Sequence, residues 1–195
     1  CRISSNGKLI VQLDRGTGNL REFTIGANAF AYSSIETFNI EDYITSIGNY
    51  AFQFSSLKSF VYKSEADIPT GAFYNCAFDN EINIPSTVSF IGQYAFRNCV
   101  TSSVTIAGDP SIVDGTTISA NAFYHCSMSK LEFVDRSNFQ PTSFSKCQSI
   151  TELKFGNIIK IPQCAFEEDL IIGSIDLTFP ATLTTIEQGA FMHCT

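Results

Sequence analysis

The stretch IGQYAFRNC, residues 91–99, recurs along the chain with only small changes. IGNYAFQFS occupies 47–55, ISANAFYHC 118–126, IPQCAFEED 161–169 and IEQGAFMHC 186–194. A string repeated this often is a structural unit before it is a site. Aligned on its Phe, the unit gives Phe30, Phe52, Phe73, Phe96, Phe123, Phe144, Phe166 and Phe191, with spacings of 22, 21, 23, 27, 21, 22 and 25. A self-similar period of this length signals an architecture built by stacking one short unit on the next.

The register survives the changes in spacing. Five residues before each Phe stands an apolar anchor: Ile25, Ile47, Ile68, Ile91, Ile118, Phe139, Ile161 and Ile186. After each Phe comes a second apolar set: Ile35, Phe38 and Ile40; Leu57, Phe60 and Tyr62; Met128, Leu131 and Phe133; Ile150, Leu153 and Phe155, with weaker copies ending at Ile84, Ile106 and Leu177. These fit L-x-x-L-x-L, in which the last two apolar side chains enter the core and those between them face out. Periods and pattern together predict a leucine-rich-repeat solenoid of class α/β, right-handed, with a parallel sheet on its concave face and short turns or brief helices on its convex face. One turn cannot bury its own apolar face, so a Phe in every turn is expected to build a continuous column of rings. About eight turns at strand spacing, ~4.8 Å each, make a coil on the order of 40 Å long.

The ends are read by the same register. VQLDRGTGNLREFTIGANAF, 11–30, aligns with VTIAGDPSIVDGTTISANAF, 104–123, so Leu9 to Leu13 is expected to form a first strand at the sheet edge, within an edge turn spanning 1–30. The extra residues of the longest turn, 107–117, carry Gly, Pro and Asp and are expected to form a loop outside the strand. Phe191 and Cys194 are followed only by Thr195, so the last turn is incomplete and the natural protein is expected to continue. The whole of 1–195 reads as a single solenoid domain. Gly48, Gly92, Ser119 and Pro162, each just after an anchor, are expected to suit a bend there.

Composition limits the partners. The 195 residues are 44% hydrophobic and 16% charged, with a net charge of -7, and Lys and Arg are scattered rather than clustered, so a nucleic-acid surface is not expected. No apolar run approaches the roughly 18 residues of a membrane span, so no membrane insertion of this segment is expected. The opening CRISSNGKL lacks the apolar core of a signal peptide.

Several residues invite a chemical reading. Seven Cys include no C-x-x-C pair, which removes the usual zinc and thioredoxin-type motifs. Cys76, Cys99, Cys126, Cys147 and Cys194 all stand three residues after the repeat Phe, where other turns have Ser33, Ser55 and Asp169. Side chains there are expected to hydrogen-bond the backbone between turns as buried thiols; the alternative is a disulfide between stacked neighbours, whose parallel side chains supply its dihedral poorly. Cys1 and Cys164 lie outside this column, and Cys1 reads as a boundary of the sequence rather than a lipid-modified terminus. His125 and His193 share a position that also accepts Asn and Lys, hence an exposed one, and lie three turns apart, roughly 15 Å, too far to share a metal. A His-centred catalytic constellation is therefore not expected, nor any enzyme activity, metal or cofactor. Glu167–Asp169 lacks the alternating carboxylates and central Gly of a calcium loop and reads as a solvated turn. Within the opening string only Gln93, Arg97 and Asn98 read as free to vary.

What remains is the outward row of the sheet: Thr37 and Asn39, Ser59 and Val61, Glu81 and Asn83, Ser103 and Thr105, Lys130 and Glu132, Glu152 and Lys154, Ser174 and Asp176. In register, Lys130 lies beside Glu152 and Glu132 beside Lys154, which lies beside Asp176. These residues are the candidate protein-binding face, since solenoids present extended surfaces of this kind. Against this stands cross-strand charge pairing that merely supports register.

IGQYAFRNC followed by SVTI, and INIPSTVSFIGQYAF at 82–96, resemble the BspA-like leucine-rich repeat family, whose repeat reads approximately I-G-x-x-A-F-x-x-C-x-x-L-x-x-I-x-I-P. Pro85 and Pro180 match its last position, the latter within TFPATLTTIEQGAF, 178–191. The resemblance covers nearly the whole chain and is poorest in the opening turn. It implies a non-enzymatic cell-surface or secreted module for recognition or adhesion, its partner a host extracellular-matrix or cell-surface protein or another cell. A structural spacer presenting another domain, or an intracellular protein-interaction scaffold, stands as the alternative, because fold alone does not give function.

Overall fold

The computed structural model describes residues 2–3, 9–10, 22–108, 111, 115–171 and 177–195. The chain is a parallel-strand β-solenoid of about seven turns. The turns contribute short strands to two sides of the coil. The longer sheet joins Ile82–Ile84, Ser103–Ile106, Lys130–Phe133 and Glu152–Lys154, all parallel. Thr37–Ile40 pairs in the same sense with Ser59–Tyr62. Burial alternates along these strands as the pattern predicts, with Phe38, Ile40, Phe60, Tyr62, Ile82 and Ile84 inside and Thr37, Asn39 and Asn83 outside.

The second ladder carries the anchors, which the sequence pattern does not mark as strand. Phe23–Ile25 pairs with Ile44–Ile47, Phe90–Ile91 with Thr116–Ile118, Thr116–Ile118 with Ser137–Phe139, and Lys160–Ile161 with Thr185–Ile186, while Ile68 bridges Ile91. Runs of two to four residues are too short to display a period of two, and only the repeated anchor signals them. Thr116 and Thr117, expected in the loop of the longest turn, belong to this ladder.

Between the two ladders lies the arc that contains the Phe. Among the described residues it holds turns and no helix, so of the two forms expected for the convex side the turns are realised. The hydrogen bonds explain why. The N–H of each repeat Phe donates to the carbonyl one residue before the next Phe, as in Phe52 to Ala72 and Phe96 to Ala122, both at 2.8 Å. The residues two before and two after the Phe do the same: Tyr50 to Thr70, Phe54 to Tyr74, Gly71 to Gln93 and Asn75 to Arg97. An α-helix would turn these N–H groups back onto its own carbonyls. Aiming them at the next turn requires left-handed backbone, and the same two positions have positive φ in every repeat, for example Tyr50 at 58° and Phe54 at 53°, Gly71 at 62° and Asn75 at 59°, Thr142 at 62° and Lys146 at 63°.

The Phe column exists as expected. All seven successive pairs from Phe30 to Phe191 are stacked, with centroids 4.9–5.5 Å apart and planes within 14°. Sheet residues close the column edge-on: Phe60 against Phe73 and Phe96, and Phe133 against Phe144. Phe52, Phe73, Phe96, Phe123, Phe144 and Phe166 are fully buried.

One expectation about the chain path is corrected. Leu9–Ile10 pairs antiparallel with Arg2–Ile3 rather than joining the parallel sheet, and residues 11–13 of the expected edge strand lie outside the described residues. Gly48 and Gly92 each open a turn, as expected, their carbonyls accepting from Ala51 N at 3.3 Å and Ala95 N at 3.2 Å, and they also serve closeness. A Cβ on Gly92 would stand 2.5 Å from the Thr70 nitrogen, and one on Gly48 2.2 Å from that of Ala27. At these two positions neighbouring turns approach too closely for a side chain.

Candidate interaction surfaces

The proposed strand-face residues divide by what the sheet does with them. Thr37 and Asn39 stand opposite Ser59 and Val61, Asn83 opposite Thr105, Ser103 opposite Lys130, and Thr105 opposite Glu132. Glu81 precedes its strand and accepts a hydrogen bond from the Ser103 hydroxyl at 3.2 Å. Ser174 and Asp176, with the expected Lys154–Asp176 neighbourhood, lie outside the described residues.

The register places Lys130 opposite Glu152 and Glu132 opposite Lys154, as expected, but the charges choose other partners. Lys130 Nζ lies 2.6 Å from Glu132 Oε2 on its own strand and 3.9 Å from Glu152, and Lys154 Nζ lies 2.5 Å from Glu152 Oε1, again on its own strand. Side chains two apart on a strand share a face, so this pairing competes directly with the cross-strand one. The Glu132 hydrogen bond raises the Lys130 ammonium above its ordinary pKa, and Lys154 lowers the Glu152 carboxyl.

Asn80 joins the two halves of the strand face. Between Ser59–Tyr62 and Ile82–Ile84 no strand ladder forms, and the Asn80 side chain stands in for one. Its Oδ1 accepts from Phe60 N and its Nδ2 donates to Phe60 O, each at 2.9 Å. A side-chain amide thus supplies the donor and acceptor that a neighbouring peptide group would have supplied.

Below the surface runs the cysteine column. Cys76, Cys99, Cys126, Cys147 and Cys194 each donate Sγ–H to the carbonyl of the repeat Phe one turn earlier, at 3.2, 3.0, 2.8, 3.3 and 2.9 Å. They are free thiols, as is Cys164. Burial pushes Cys76 up to about 11 and Cys99, Cys126 and Cys147 well above the ordinary thiol value, so little nucleophilic thiolate forms at neutral pH.

Asp169 takes the place of a thiol in this column, and here the expectation of a solvated turn at Glu167–Asp169 is corrected. Glu168 is exposed, but Asp169 is wholly buried. Its Oδ1 accepts from Cys147 N at 2.8 Å, while Oδ2 is buried with no partner. Desolvation raises the carboxyl to about 8 against the pull of the Cys147 and Lys146 amides. A protonated Oδ2 can do what the thiols do: donate.

His125 and His193 are exposed, each next in sequence to a thiol of the column. Among the described residues no group of three or more His, Cys, Asp or Glu could hold a metal ion, and no helix is long and apolar enough to cross a membrane.

Stacked parallel strands, a ring column and a hydrogen-bonding thiol column define a repeat protein whose outward residues are the part not committed to building the coil. The chain belongs to the BspA-type leucine-rich repeat family, whose model matches residues 23–67 and 66–195 in six copies. Such repeats serve protein interaction, and solenoids of this family are generally non-catalytic. No match to the chain was found among curated proteins.

Proposed function

We propose that this chain is a recognition module at the cell surface or in the secreted space, adhering to host or matrix proteins or to other cells, and that residues 1–195 act as a single domain. One observation carries the reading. The outward residues from Thr37 to Lys154 form one field on six strands, in register within a pair and within a set of four that Asn80 joins, and no element of the described structure covers it. Its side chains are mostly small and polar and include no aromatic, so each contact is weak, and affinity comes from many turns acting together.

The test is a pull-down of immobilised extracellular-matrix proteins with the chain and with its Lys130→Glu, Lys154→Glu double variant. Binding by the parent and a several-fold loss in the variant are expected. Equal capture by both removes the strand face from the proposal.

A second reading has its own observation. Four of the five charges of this face pair with one another along their strands, leaving little unspent charge for a ligand. That favours a spacer that holds another domain away from the surface, and binding to none of the matrix proteins would move the conclusion there.

A further inference from the structure

The opposite side of the coil, formed by the arcs around the Phe column, is built differently from the strand face. Across six successive arcs, 27–33, 49–55, 70–76, 93–99, 120–126 and 141–147, there is not one Asp or Glu in a chain of net charge -7. The outward side chains there are chiefly aromatic, amide or cationic. Tyr32 stacks on Phe54 at 5.1 Å, and Phe54 meets Tyr74 at 5.0 Å. Tyr32 is 70% exposed and Phe54 39%.

Arg97 sits in the middle of this stripe. Its guanidinium carbon lies 5.8 Å from the Tyr74 ring of the preceding turn, 5.2 Å from Tyr94 of its own and 4.9 Å from Tyr124 of the next. Its Nε is buried without a hydrogen-bond partner, and among the described residues no carboxylate pairs with it. Three rings surround the cation, and the N–H edge of its guanidinium supplies the hydrogen-bond donors. Aromatic edges, like that N–H edge, carry positive partial charge.

The left-handed positions that every repeat has are filled by aromatics in several of these arcs. Tyr32, Tyr50, Phe54 and Tyr94 occupy left-handed positions, with φ of 56°, 58°, 53° and 60°. Asn and Gly fill the same positions in other turns with less strain, as Asn28, Gly71, Asn98 and Asn121 do.

We infer that this turn face, from Tyr32 to Lys146, is a second binding surface, and that its ligand is an extended segment of a partner protein bearing one carboxylate between apolar side chains. Arg97 receives the carboxylate, and its pre-set planar fork matches that group better than it matches the hydroxyls of a neutral sugar. Tyr32 and Phe54 to one side and Tyr124 to the other receive the apolar neighbours. Five steps of about 5 Å from Tyr32 to Lys146 are spanned by an extended segment of about seven or eight residues. This surface is separate from the strand face and stands or falls independently of it.

The test follows amide chemical shifts of the intact chain on titration with three probes: a heptapeptide with one central glutamate flanked by phenylalanine and leucine on each side, its twin with glutamine at the centre, and a hyaluronan oligosaccharide. The glutamate peptide is expected to shift the amides of Tyr74, Tyr94, Arg97 and Tyr124 and to bind about ten-fold more tightly than the twin, the margin of a charge-assisted bond. Arg97→Gln is expected to erase that preference, and Arg97→Lys, which keeps the stem over the rings and the charge but loses the fork, to retain part of it. The comparison of twins on the parent chain does not depend on any variant folding. Equal binding of the two peptides, shifts confined to Lys130–Lys154, or tighter binding of hyaluronan at Arg97 would each overturn the proposal.

Discussion

Asp169 is the residue at which the repeat and the chemistry of its side chain disagree. A carboxyl with a folded pKa near 8 and an unfolded value near 3.8 binds more protons folded than unfolded between those two pH values. Its contribution to stability therefore falls as pH rises from about 4 to about 8, the reverse of the usual buried, ion-paired carboxylate. Asp169→Asn keeps the acceptor for Cys147 N and removes the ionisation. We expect it to raise the melting temperature more at pH 8 than at pH 4 and to flatten the profile between them, as thermal denaturation across that range will show. A gain equal at both pH values would mean that the carboxyl is not the titrating group. Thr142 offers a second residue-scale prediction. It is β-branched at a φ of 62°, where glycine is at ease, so Thr142→Gly is expected to stabilise by ~1 kcal/mol in chemical denaturation. Little of this was legible in the sequence. The register did align Asp169 with the thiols, but three consecutive acids read as a solvated turn, and burial came from tertiary stacking that composition does not reveal. The left-handed positions were equally hidden, because Tyr, Thr, Lys, Glu and Cys share them with Asn and Gly.

Elements in this coil are too short to stand alone, and side chains complete them. The exchange of two hydrogen bonds between Asn80 and Phe60 is the join between two parts of the strand face. Asn80→Ala leaves the Phe60 peptide groups without that partner and is expected to cost ~1–3 kcal/mol, with faster hydrogen exchange at Phe60 in particular. Protection unchanged at Phe60 would show that water replaces the amide at no cost. Gly92 sets the limit at the opposite ladder. Gly92→Ala drives a Cβ toward the Thr70 nitrogen 2.5 Å away, so the turns must part, at ~1–3 kcal/mol in denaturant titration. The strands of the longer sheet could be read from alternating residues such as Leu131 and Phe133. Their charge pairing could not, since Glu132 lies equally within reach of Lys130 along the strand and Lys154 across it, and rotamers decide between them.

For the whole molecule the ring column is the common thread. It was also the most legible feature, because a single residue type returning at a period near 22 is what stacking of equivalent turns requires and what an irregular core does not produce. Phe96 stacks on Phe73 and Phe123 and meets Phe60 edge-on. Phe96→Ala is expected to cost ~3–5 kcal/mol, near the upper range for a buried aromatic. Because each turn contacts mainly its neighbours, that loss is expected to uncouple the two halves, so that amides of 22–76 and of 118–171 exchange at different rates where the parent exchanges them together.

The arc from anchor to thiol has the same nine-residue length in every turn, although the spacing between successive Phe residues ranges from 21 to 27. Its amides are bonded to the next turn at three positions, so an added residue there would put every later donor out of step. The variation in length is confined to the segment between the thiol position and the next anchor. For an engineer this separates the coil into fixed and editable parts: foreign peptides grafted near 107–115 should be carried without loss of the fold, whereas a single residue inserted between Ile91 and Cys99 should destroy it.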